Sequence, residues 1–327
     1  MKSRDLNIDA LRVLACFLVI IIHVSGPIFT KSDINSNVFL FNLGLDSFSR
    51  VAVPLFVMIS GRYLIKTDRV FDKTKYFKSI LKILRPLFFW SIIYIAIYVL
   101  FKFIKHESID YKLLLDNLIK GKPYYHLWYL YMILGVYIVA PFFNQMLGSL
   151  TKKQILYLTW GLIIFSFIHQ SYNYFYNVKD FFGVWFIDYI GYAMLGYIYK
   201  ERIFVKPHLL FAGYIFSSLC ILILSYYTFL INNKLPFFNY NSIFVIAGSF
   251  FIYRYFDNLT IKNSFILKFS ENTFGIYLIH PLLILIFFNY IKNFFLLELL
   301  CILIIFLLSN YVIKLLSMNT TLKKYLM

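Results

Sequence analysis

The sequence predicts an all-α fold, a polytopic transmembrane helix bundle of about ten helices in a single integral-membrane domain over residues 1–327. Three observations predict it. Hydrophobic residues make up 61% of the chain and charged residues 14%, well below the roughly 25% charge of soluble domains. Windows such as Val13 to Ile22, Ile92 to Phe101 and Leu300 to Leu308 are apolar on every side, so a helix there offers water no face. Such windows recur along the chain with gaps of only roughly 5 to 25 residues, too short for an extramembrane domain.

A crossing needs about 20 apolar residues. Spans accordingly fall near residues 10–29, 46–65, 83–104, 127–147, 154–170, 182–199, 208–231, 240–256, 273–291 and 294–317. Lys2, Arg4 and the apolar run after Arg12 mimic a secretory leader, but no small-residue cleavage site follows, so the first span is expected to remain as a helix. The second contains Ser60 and Gly61, small residues that permit close helix approach. The third follows a basic run. The fourth opens on the aromatic segment YYHLWYLYMILG, suited to a membrane interface. No internal repeat relates the two halves, which speaks against many transporter architectures.

The net charge of +17 would suit nucleic acid only on an extramembrane basic face, and the chain has no segment for one. The charge instead orients helices. With the N-terminus cytoplasmic, 22 of the 32 Lys and Arg residues fall on the cytoplasmic side, as the positive-inside rule requires. Cys16, Cys220 and Cys301 all lie in apolar segments, which makes neither a disulfide framework nor a metal site.

Ionisable residues inside a bilayer cost about 2.5–3.5 kcal/mol on insertion scales, so each is a functional candidate. Arg12 and His23 are eleven residues apart in the first span, which leaves them about 20° apart around the helix and roughly 16 Å along it. Asp9 falls within about 40° of the same stripe. A cation at the inner mouth suits a phosphate-bearing donor, and a deep imidazole suits a general base. The plainer account has Arg12 snorkelling as a topology signal and His23 bonding a neighbouring helix.

The other candidates are Arg50 at the outer entry of the second span, and Lys82 with Arg85, which share a helix face beside Pro86 at i, i+3. His126 and Trp128 lie in the outer aromatic cluster, and His280 sits immediately before Pro281. For each a bland role exists: rim charge, inward-flanking charge, aromatic belt, or satisfaction of the backbone that proline frees. Asp188 and Glu298 are the acidic candidates for orienting His23.

In order along the chain, the Arg12–His23 spacing, RVAVPLFVMISG, the basic pair before Pro86, HLWYL and TFGIYLIHPL together resemble the bacterial membrane acyltransferase-3 family over nearly the whole chain. The resemblance implies ten core helices and transfer of an acyl group, usually acetyl from cytoplasmic acetyl-CoA, to a glycan or other acceptor reached from outside. It implies functional roles for Arg12 and His23. The family pattern has two arginines at the third helix, where this chain has Lys82 and Arg85, and lysine cannot make arginine's bidentate phosphate contacts. Relatives with an extra extracytoplasmic domain look less similar than the short members that modify surface polysaccharides. Some relatives form the membrane part of amino-acid racemases.

The expectation is therefore a multi-pass O-acyltransferase of the bacterial cytoplasmic membrane, using acetyl-CoA or another acyl-CoA as co-substrate and no metal. Its partners would be membrane lipid and a glycan or lipid-linked glycan acceptor, with no nucleic acid. Arg12, Arg85 and Lys82 would hold the donor, with His23 as base. Arg50, His126, Trp128, Asp188 and His280 would face the acceptor. The residues alone leave open a transporter or flippase, and a membrane subunit anchoring partner enzymes; oligomeric state is not legible. A reporter fused after Met327 should be active only in the cytoplasm, and periplasmic activity would reverse the sidedness of this scheme.

Overall fold

The computed structural model describes residues 5–67, 71–178, 181–199, 205–287 and 295–326. Lys2, Arg4, Arg69, Lys200 and Arg202 lie outside the described residues, as do positions 288–291 and 294 of the last two expected spans.

Helix α1 (Leu6–Phe29) starts at Asp5, whose side chain accepts from the Ile8 N–H and so satisfies one of the donors that every helix start leaves open. It is 72% buried, enclosed by α2 (Asn37–Ser49), α3 (Ala52–Leu64), α10 (Ile243–Asn258), α12 (Thr273–Phe287) and α13 (Phe295–Leu316). By contrast α4 (Lys73–Ile104), α7 (Lys152–Tyr176) and α9 (Pro207–Asn232) bury only 22%, 22% and 28%. They form the periphery, and their exposed Phe88, Phe103, Ile164, Phe216 and Ile231 are the lipid-facing surface that such composition requires.

The remaining elements are α5 (Tyr111–Ile119), α6 (Trp128–Gly148), α8 (Ile187–Ile198), α11 (Leu267–Ser270) and α14 (Thr320–Leu326). Side-chain bonds show that successive passes run antiparallel. At the N-terminal face Arg62 of α3 meets Asp5 at 3.1 Å and Asp257 of α10 at 2.8 Å. At the opposite face Asn42 of α2 donates to Glu298 of α13 at 3.2 Å, and midway through the bundle the Tyr214 hydroxyl of α9 donates to the Phe48 carbonyl at 2.7 Å.

Each expected span has a helix at its position, with four differences. Among the described residues seven segments are long and apolar enough to cross a membrane, or eight if the pair Ser264–Ser270 and Thr273–Phe287, bent by 58°, is one span. Helices α8 and α10, at 12 and 16 residues, fall short of about 20. They pack inside the bundle, where other helices rather than lipid surround them. The second span begins at Asn37, not near 46, because the polar residues of α2 that depress its hydropathy (Asn42, Asp46, Ser47, Ser49) are buried against other helices. The third begins at Lys73, capped by Asp72; its 32 residues would reach about 48 Å at 1.5 Å each, beyond the roughly 30 Å hydrocarbon core. Helix α5 was not expected, since nine residues with Lys112 and Asp116 inside carry too weak an apolar signal.

Small residues fix the α3–α8 crossing. A Cβ on Gly61 would stand 2.0 Å from the Ala193 carbonyl oxygen, and one on Gly196 1.9 Å from that of Met58. The two backbones therefore touch at both glycines, as small-residue packing in membranes allows. Gly61→Val and Gly196→Val should each lower thermal stability in detergent by at least the upper end of the about 1–3 kcal/mol typical of overpacking, because a backbone cannot rotate away. Gly161→Val, where nothing lies within 4 Å, should leave the melting temperature unchanged. Equal behaviour of the three variants would refute the close crossing.

Candidate functional site

Three histidines from three elements meet in the half of the bundle remote from the N-terminus. Helix α12 supplies His280, whose orientation follows from its neighbour. Pro281 has no N–H, so the Tyr277 carbonyl four residues earlier loses its helical donor. His280 Nδ1–H takes that place, donating to the Tyr277 oxygen at 2.7 Å, with Ile276 at 3.3 Å. This assigns the proton to Nδ1 and leaves Nε2 a lone pair, buried without a partner. The bland role foreseen for His280 and a role in the site thus coexist in one ring.

His23 of α1 stacks on His280 with centroids 5.3 Å apart and planes at 21°. His126, just before α6, meets His280 edge-on at 5.6 Å. Its ring is buried. The frame around it is tyrosine: the Tyr277 hydroxyl donates to the His126 carbonyl, Tyr94 donates to the Leu278 carbonyl at 2.7 Å, and Tyr125 sets its edge 4.8 Å from His23. His23 remains partly accessible, the only one of the three rings so placed. Among the described residues no group of three or more His, Cys, Asp or Glu is arranged to hold a metal ion.

A cavity of about 420 Å³ opens at the N-terminal face, with Arg12 and Lys82 among its lining residues and Tyr129 and Tyr277 closing its inner wall. Arg12 is held there by Asp9 at 2.7 Å and lies 5.9 Å from the centre of the Tyr63 ring. Tyr129 and Tyr277 pack at 5.5 Å, and the far side of Tyr277 touches His126 at 5.3 Å and His280 at 6.0 Å. One tyrosine thus separates the cavity from the histidines. The cavity does not run on from Arg12 to His23, which is not among its lining residues.

Arg85 requires a correction. It is exposed and outside the cavity, while Lys82 lines it. The buried face of α4 runs through Ile83, Leu87, Trp90 and Tyr94. At 100° per residue Lys82 lies about 100° from that face and Arg85 about 160°. The i, i+3 pair does share a side of the helix, but only its first member reaches inward.

Arg50 is not at the outer entry of the second span but midway along Asn37–Leu64, where it forms a 2.6 Å ion pair with buried Asp46, one turn earlier in the chain. The guanidinium lies 4.2 Å from the Phe238 ring centre and 5.8 Å from that of Tyr240, and Tyr240 stacks on Trp128 at 5.9 Å. A Cβ at Gly26 would come 3.3 Å from Asp46 Oδ2, so the carboxylate rests against α1 about one turn beyond His23. Arg50 and Trp128 therefore flank the cluster that His126 and His280 form with His23.

Asp188 does not join them. Its carboxylate accepts from Gln170 and pairs with His169 Nδ1 at 2.8 Å, both on α7. Glu298 is taken by Asn42. Neither acid orients His23, whose ring neighbours are His280 and Tyr125. The residues missed from sequence are Asp46, Tyr125, Tyr277 and the Arg62–Asp257–Arg254 network. For Asp46 the i, i+4 spacing to Arg50 was a usable signal; for Tyr277 the spacing of four from Pro281 was another.

A family model described as an acyltransferase domain, Acyl_transf_3, matches residues 5–315, and the chain belongs to the acyltransferase-3 family. No curated protein and no solved structure gives a significant match.

Breaking a buried ion pair by removing one partner costs about 3–5 kcal/mol. Asp46→Ala and Arg50→Ala should each destabilise the protein on that scale, and the double variant by clearly less than the sum. Strict additivity of the melting shifts would show that the pair is not coupled.

Proposed function

We propose that this membrane acyltransferase moves an acyl group, acetyl in the first instance, from a cytoplasmic acyl-CoA to a hydroxyl of a cell-surface glycan or its lipid-linked precursor. The observation that carries the proposal is the line of groups from Arg12 at the mouth of the inner cavity, through Tyr277, to the stacked His23 and His280. It offers an anion site on the basic face and an imidazole site toward the other. The surplus of Lys and Arg on the segments at the N-terminal face supports a cytoplasmic orientation of that face, the side on which acyl-CoA would be met.

In this reading Arg12 and Lys82 hold the donor's phosphates. Lys82 does so as a point charge, and Arg85 serves as a headgroup-facing flank. The largely apolar cavity takes the donor's acyl-bearing arm. His23 acts as general base: the acceptor hydroxyl loses its proton to the imidazole as its oxygen bonds the thioester carbonyl carbon. The carbon–sulfur bond then breaks, and the same imidazole returns the proton to the leaving thiolate. An acyl-histidine intermediate is the two-step form of the same chemistry. His280, neutral and fixed by the carbonyl that Pro281 frees, positions His23 by stacking. For the donor to reach His23 the Tyr129–Tyr277 wall has to part. The Arg50–Tyr240–Trp128 band binds the acceptor. The natural setting is the bacterial plasma membrane.

Protein reconstituted in lipid and supplied with acetyl-CoA and acceptor tests this. Loss of a general base lowers rates by about 10²–10⁴, so His23→Ala should nearly abolish transfer at unchanged membrane level. Lys82→Ala should raise KM for acyl-CoA, whereas Arg85→Ala should leave it near wild type. Undiminished transfer by His23→Ala removes the base. Substrate movement across the bilayer without consumption of acyl-CoA would favour a transporter instead.

A further inference from the structure

A second cavity, of about 320 Å³, lies at the face opposite the N-terminus, bounded by Tyr94, Tyr98, Leu114, Asn117, Lys122 and Tyr125 among others. Two features tie it to the histidines. Tyr125 lines it and also packs its ring 4.8 Å from His23. Tyr94 and Tyr124 line it as a stacked pair with centroids 4.1 Å apart, and Tyr94 touches His126 at 5.1 Å. The first cavity stops at Tyr277, the second at Tyr125, and the histidine cluster lies between.

The outer wall of this cavity is α5. It is a nine-residue helix with no buried residue, about 14 Å long and too short to cross a bilayer. Leu113, Leu114 and Asn117 face the cavity. Tyr111, Leu115, Leu118 and Ile119 are exposed at 72%, 58%, 37% and 59% and are not among the cavity's lining residues. An apolar helix of this length with Lys112, Asp116 and Lys120 at its polar edge lies in the membrane interface rather than in water. The cavity therefore has a lipid-side wall.

Its lining mixes the same two characters. Leu113, Leu114 and Ile95 offer an apolar side, while Asn117, Lys122 and four tyrosines offer stacking faces and hydrogen-bonding groups. Lys122 extends 5.2 Å above Trp185, which contacts Trp128 at 6.2 Å, and Trp128 continues to Tyr240 and Arg50. A polar ring entering between α4 and α5 would meet aromatic and cationic groups all the way round to the Asp46–Arg50 pair.

From this we infer that the second cavity is the acceptor's port of entry and that the acceptor is a lipid-linked sugar. Its apolar tail stays in the outer leaflet beside α5, and its hydroxyl-bearing ring stacks on Tyr94, Tyr124 and Tyr125 within reach of His23. The inference rests on the acyltransferase reading and narrows its acceptor to a membrane-anchored one. A soluble glycan would gain nothing from a lipid-side wall.

The test separates binding from chemistry. Full-length protein in lipid nanodiscs is irradiated with a long-chain alkyl glucoside bearing a diazirine in its tail, and the labelled peptides are mapped by mass spectrometry. Labelling is expected over the segments holding Ile95 and Leu113–Asn117. It should fall when the cavity is filled by Leu114→Trp, persist in Leu118→Trp on the outward side of α5, and resist competition by methyl glucoside. The same labelling is expected in His23→Ala, which lacks only the base. In the transfer assay Leu114→Trp should raise the acceptor KM by about tenfold while leaving KM for acyl-CoA unchanged, the mark of a lost binding contact. Labelling spread evenly over the lipid-facing sides of α9 and α13, or unaffected by Leu114→Trp, would overturn the port. Equal protection by methyl glucoside would overturn the lipid-linked acceptor. Expected labelling without any acyl transfer would leave the port standing and defeat the acyltransferase reading instead.

Discussion

Inside a bilayer a polar group has no water to turn to, so the protein must supply every partner it needs. That constraint organises the bundle around α1. Its capping Asp5 is met by Arg62, its Asp9 by Arg12, and the Asp46–Arg50 pair closes against it at Gly26. Asn7 at its start donates to the Leu259 carbonyl at 2.5 Å and accepts from Ile261 at 3.0 Å. The Arg62 contact draws α3 onto α1 and the Asp46 contact draws α2, while the Asp9–Arg12 pair lies within α1 itself and Asn7 ties down the segment that follows α10. The helix with the most polar obligations is therefore the most enclosed, and the apolar α4, α7 and α9 are left to face lipid.

The same constraint explains why a proline sits at the centre of the site. Pro281 frees a carbonyl in a place without water, and His280 is the nearest donor able to reach it. Satisfying the backbone fixes the imidazole tautomer and plane, and the fixed plane is what His23 stacks on. A structural repair thus becomes a positioning device. The buried ion pair on the other side has a comparable double use. Pairing with Asp46 makes the Arg50 charge tolerable at depth, while the guanidinium still lies over Phe238 and Tyr240.

Two cavities approach the histidine cluster from opposite faces, and each ends on a tyrosine. On the proposed reading, a water-soluble donor on one side and an acceptor on the other have to meet without opening a continuous leak. Aromatic walls that give way one substrate at a time meet that demand. The inner wall joins Tyr277, tied through its hydroxyl, to Tyr129, while the outer one rests on Tyr125, which is 46% exposed. The tyrosine at the outer wall is accordingly the more exposed one.

The sequence by itself determined the helical class, the presence of a helix at each expected span and the stripe that joins Arg12 to His23. These follow from hydropathy and from 3.6 residues per turn, both local properties. It could also have pointed to Asp46 through its spacing from Arg50. Hydropathy misjudged α2, because buried polar residues depress it as strongly as exposed ones, and it passed over α5. Only the tertiary structure decided which side of α4 faces inward, and so that Lys82 rather than Arg85 reaches the cavity. It likewise gave Asp188 to His169 and Glu298 to Asn42, since either acid could have served any base in the outer half. It gathered His23, His126 and His280, which lie up to 257 positions apart in the chain. Residues so distant meet through helix packing, and no periodicity within a single segment encodes which faces of different helices will touch.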